Sequence, residues 1–100
     1  MASTITVTAG ELKNKASELK QFNKSLKSKI EELRAQEKTL VSKWEGDAKN
    51  AFNGAFNKDM IQMDNFYNAI ERYVSALLEI AARYEAAEKA NTNIASTRKY

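Results

Sequence analysis

Leucine recurs at every seventh position across the first half of the chain: Leu12, Leu19, Leu26, Leu33 and Leu40. A strand alternates faces every second residue, so it cannot keep one residue type in register at sevens; a helix can. Ala16 and Ile30 hold the alternate heptad position, with Asn23 and Glu37 as polar lapses. Five heptads of this kind predict a coiled-coil-like helix. Its start is marked by Thr8 with Glu11 three residues later, the spacing of a capping box. Its expected span is about 8–42, preceded by a flexible segment at 1–7.

The second half keeps the same period. Met63, Ile70, Leu77 and Tyr84 form one row, and Phe66, Tyr73, Ile80 and Ala87 form the other. Phe52 and Phe56 extend the pattern toward the middle of the chain, with Asp59 as an interruption. The chain has no proline and only three glycines, so few positions force a break. A second helix is expected over about 47–90, followed by a flexible tail at 91–100. The linker is too short for anything but antiparallel neighbours.

On the second helix the apolar face is wider than a two-row seam. Tyr67, Val74 and Ala81 flank it on one side, and Ala55, Ala69 and Ala76 on the other. One partner helix covers about one stripe. The reading is therefore all-α: an antiparallel two-helix hairpin that pairs with a second copy into a four-helix bundle. The expected hairpin and dimer core is Leu12, Leu19, Leu26, Ile30, Leu33, Leu40, Phe52, Phe56, Met63, Phe66, Ile70, Tyr73, Leu77 and Ile80. Asp59, at a seam position facing the level of Ile30, is expected to find Lys27 or Lys29.

Several functions are disfavoured by what the chain carries. There is no histidine and no cysteine. That removes the usual general base, the thiol nucleophile and the commonest metal ligands. No phosphate-binding glycine loop is present. No enzymatic activity, catalytic residue, cofactor or metal is expected. Net charge is +3, and residues 1–43 hold most of the surplus, with nine Lys/Arg against five Asp/Glu. The basic row Lys13, Lys20, Lys27 and Arg34 flanks the leucine seam, but Glu18, Glu31 and Glu32 interleave nearby and no aromatic partners it. It is expected to be a solvated face rather than a nucleic-acid surface. No apolar run approaches the length of a membrane span, so stable membrane insertion is not expected. The N-terminal residues have neither the basic region nor the apolar core of a cleavable signal peptide.

Between the helices stands "KWEGDA", residues 43–48, with the only tryptophan. Gly46 suits a turn and Asp47 the start of the second helix, by capping or by charge against the helix dipole. A turn does not require Trp44. Two roles are open to it: packing against the far end of a second subunit, or standing partly exposed as a handle for another protein.

Trp44, Glu45 and Gly46, followed by Ala48 and Phe52, match the run W-x-G-x-A-x-x-x-F. Tyr84 to Glu88 gives Y-x-x-x-E near the end of the second helix. With the length and the hairpin pattern, these resemble the WXG family, the early-secreted-antigen-like proteins of bacterial type VII secretion. The resemblance covers essentially the whole chain. It implies a small, virulence-associated class of secreted protein, made in the bacterial cytoplasm and exported as a folded dimer by a membrane complex with an FtsK/SpoIIIE-type ATPase. It also implies a composite signal in which Trp44 and Gly46 of one subunit meet Tyr84 and Glu88 of the other. A homodimer is preferred because one chain carries both elements. The alternative is a heterodimer with a WXG-family paralogue, or a helical partner or chaperone for a larger secreted toxin.

Overall fold

A computed structural model describes residues 7–97, and side chains from residue 7 to residue 90. The expected flexible ends lie outside the described residues at 1–6 and 98–100. The chain forms two helices, α1 (Ala9–Val41) and α2 (Asp47–Thr97), folded back on each other as an antiparallel hairpin. The molecule measures 83 × 26 × 16 Å, so it is a single layer of two rods whose buried residues lie along the seam between them.

Thr8 caps α1, its hydroxyl accepting the Glu11 amide at 3.1 Å. At the other end Ser42 closes the helix, its amide donating to the Lys38 carbonyl at 3.1 Å. α2 continues to Thr97, beyond the end near residue 90 expected from sequence. No glycine or proline stands in "ANTNIAST" to stop it.

The seam between the helices does not lie where the leucine row points. On α1 the fully buried row is Ala9, Ala16, Asn23 and Ile30, the row with the polar lapse. Leu12, Leu19 and Leu26 are half-buried beside it, and Leu33 and Leu40 are exposed in the single chain. On α2 the seam takes Met60, Val74 and Ala81 with half-buried Tyr67, and next to them Ile70 with half-buried Met63, Leu77 and Tyr84. The row Phe66, Tyr73 and Ile80 is exposed, as is Phe52, while Phe56 is half-buried. The row read as a flank is thus the inner seam, and a row read as seam is open.

Two cross-helix ion pairs mark the register. Lys13 Nζ lies 2.6 Å from Glu85 Oε2, and Arg34 Nη2 lies 2.6 Å from Asp64 Oδ2. Both pairs have residue numbers adding to 98, and the same rule sets Lys27 against Glu71 and Lys20 against Leu78. Side chains lean toward the N-terminus of their own helix, so an α1 side chain leans away from the turn and an α2 side chain toward it. Partners on α2 therefore lie farther from the turn than a flat count predicts. Asp59 falls at the level of Thr39 by this rule, not at Lys27 or Lys29. Lys27 instead sits 5.6 Å over the Tyr67 ring, and Lys29 pairs with Glu32. Asp59 is exposed.

The hairpin consequently has two unlike sides. One carries the cross-helix ion pairs. The other carries the α1 leucines beside the open aromatic row of α2.

Candidate functional site

The turn places the motif residues. The Lys43 and Trp44 amides donate to the Leu40 and Val41 carbonyls at 3.3 and 3.2 Å, carrying the last turn of α1 past its end. Gly46 then takes φ +110°, in the region that favours glycine. Its carbonyl accepts the Asn50 amide at 3.3 Å, the first bond of α2. Gly46 is thus both the turn and the cap. Asp47 is the first helical residue, where its charge complements the helix dipole.

Trp44 is half-buried, and its indole packs on its own chain. The ring centroids of Trp44 and Phe52 are 5.7 Å apart at 42°, and those of Phe52 and Phe56 are 6.1 Å apart at 31°. Neither role expected for Trp44 includes this platform. The signal for it was in the sequence: Phe52, four residues before Phe56, is the phenylalanine of the W-x-G-x-A-x-x-x-F run, and the first turns of α2 return it to the indole. A shallow groove of about 860 Å³ borders the indole on the α1 side, lined by Gln36, Thr39, Leu40 and Lys43 among others.

Tyr84 is half-buried in the seam row of α2, and Glu88 is exposed one turn later. At ~1.5 Å per residue they stand about 55 Å along α2 from the turn. Within one chain Trp44 and Gly46 do not meet Tyr84 and Glu88. Beside Tyr84, the Glu85 carboxyl is held below the usual carboxylate range by the hydrogen bond from Lys13 and by the charge of that ammonium.

Among the described residues no group of His, Cys, Asp and Glu side chains could hold a metal ion. No described helix is long and apolar enough to cross a membrane. Asp64 and Glu71 accept hydrogen bonds from Arg34 and Asn23 across the two helices.

No curated protein and no solved structure matches the chain. The family model described as WXG100, "Proteins of 100 residues with WXG", matches residues 4–89, a span that holds the turn, both helix seams, Tyr84 and Glu88. With its hairpin and a Trp-x-Gly turn built on Gly46, the chain belongs to the WXG100 family of small type VII secretion proteins.

Proposed function

We propose that the protein is a non-enzymatic secreted substrate and component of a bacterial type VII secretion system, exported as a folded homodimer. Two hairpins pair antiparallel through their apolar sides. Each Trp44–Gly46 turn then lies beside Tyr84 and Glu88 of the other copy, and the composite signal engages the FtsK/SpoIIIE-type ATPase. One observation carries this reading. The two halves of the motif sit at opposite ends of a rod with one exposed apolar side, so a second, inverted copy on that side would bring them together. The groove beside Trp44 offers room for an aromatic ring from that copy.

The test is export by a bacterium that has such a system. Trp44→Ala alone and Tyr84→Ala alone should each reduce export at least tenfold. Co-expression of the two variant chains should restore it in part, because a mixed dimer keeps one end with both Trp44 and Tyr84 intact. No restoration, from chains shown to form mixed dimers, would place the signal within one chain. A folded monomer of the wild-type protein in light scattering would favour pairing with a paralogue or a larger toxin instead.

A further inference from the structure

Of the four basic residues on this edge of α1, Lys20 is the one without a partner among the described residues. Lys13, Lys27 and Arg34 each have a partner across or along the seam: Glu85, the Tyr67 ring and Asp64. Lys20 faces Leu78 where the register calls for an acid. The residues three and four positions from Lys20 on α1 are Ala16, Ser17, Asn23 and Lys24, none of them acidic. Lys20 therefore has neither a cross-helix nor a same-helix counterion among the described residues, and Lys24 adds a second positive charge one turn on.

Leu78 is 46% exposed at this position, although the seam lies directly beside it. Between Lys20 and Leu78 is a notch of about 200 Å³, floored by Ala16 and Val74. Both floor residues are buried and apolar, and the Ser17 hydroxyl stands at the rim. A glutamate in place of Leu78 would give Lys20 a cross-helix ion pair and fill the opening. The chain instead leaves an apolar hollow beside an uncompensated cation. The notch is on the ion-pair side of the hairpin, so it stays open when a second copy covers the apolar side.

We propose that this notch docks a short acidic–hydrophobic segment of a partner protein, with one leucine or phenylalanine side chain seated over Ala16 and Val74 against Leu78, and a neighbouring carboxylate on Lys20. The charge supplies orientation, and the exposed leucine supplies the apolar contact. This surface is separate from the turn and from Tyr84, and it adds a protein contact beyond the export signal.

The experiment is amide chemical-shift mapping on the full-length protein, titrated with the acetylated hexapeptide Glu-Glu-Leu-Phe-Glu-Glu. Saturable shifts centred on Ser17, Lys20 and Leu78 are expected. Leu78→Glu, which supplies a cross-helix acid, should keep the helical circular dichroism and weaken binding about tenfold or more, and Lys20→Glu should do the same. The hexapeptide Lys-Lys-Leu-Phe-Lys-Lys should not bind there. Absence of saturable shifts, equal binding by Leu78→Glu, shifts confined to the Trp44 end, or a response to phosphatidylglycerol vesicles but not to the peptide would each overturn the proposal.

Discussion

Gly46 and Gly54 look alike in sequence and differ in what the backbone asks of them. Gly46 sits at φ +110°, and a Cβ added there meets nothing within 4 Å. Substitution by alanine therefore costs only the backbone strain, about 1–3 kcal/mol. Gly54 is in regular helix, also with nothing within 4 Å of an added Cβ, on the side of α2 away from the open apolar row. Gly54→Ala should stabilise by about 1 kcal/mol. Thermal melts of the two variants should move in opposite directions. Glu85 makes a further prediction at this scale. Its pKa is depressed in the fold by Lys13, so its contribution is fully present above the usual glutamate range and is lost as pH falls through the lowered value. In Lys13→Ala the carboxyl should titrate higher, by NMR of the side-chain carboxyl. The variant should also lose less stability than the wild type between about pH 5 and pH 3.

At the scale of the helix pair, Asn23 is the residue that matters most. It is fully buried, the largest side chain so enclosed. Its Nδ2 donates to the Tyr67 carbonyl at 3.0 Å and to Glu71 Oε2 at 2.7 Å. Both partners are acceptors, which settles which way the amide points. Its Oδ1 has no partner among the described residues, so the residue gives up part of its stabilisation. A lone polar residue in such a row fixes register at a cost in stability. Asn23→Leu should therefore raise the melting temperature, equivalent to about 1 kcal/mol, while amide spectra show doubled peaks from a second register. A lower melting temperature with single peaks would mean that the two hydrogen bonds outweigh the orphan oxygen. The surface ion pairs act in the same sense. They are half-exposed and screened, so they choose between registers more than they add stability.

At the scale of the whole molecule, the exposed apolar side is the feature that a second chain would cover. Leu33, Leu40, Phe66 and Tyr73 are between 46% and 58% exposed in the single chain and lie on one side of the hairpin. A contiguous apolar surface of this kind marks an interaction site. Wild-type protein should elute as a dimer of about 23 kDa, twice the chain mass of 11.3 kDa. The double variant Phe66→Glu/Tyr73→Glu puts two charges where apolar side chains would be desolvated and should shift the protein to monomer, measured by light scattering. An unchanged dimer mass would mean that copies pair through another surface.

The two helices, the Thr8 cap, the turn at Gly46 and the breadth of the apolar face were all legible in the sequence. Each depends on neighbours within a few residues: a heptad period, a hydroxyl three positions from an amide, a glycine free to take positive φ. Adjacent heptad rows lie only about 50° apart around a helix, and both were apolar, so the period could not say which row turned inward. The tertiary structure decided that. The row with Asn23 went in and Leu33 and Leu40 stayed out, an arrangement in which Lys13 and Arg34 reach Glu85 and Asp64 across the other edge. The same holds for Trp44, whose platform on Phe52 exists only once Gly46 has reversed the chain. By itself the sequence determined that there would be a hairpin and where it would turn. The rotation and register of its helices came from contacts between residues far apart in the chain, whose partners no local pattern specifies.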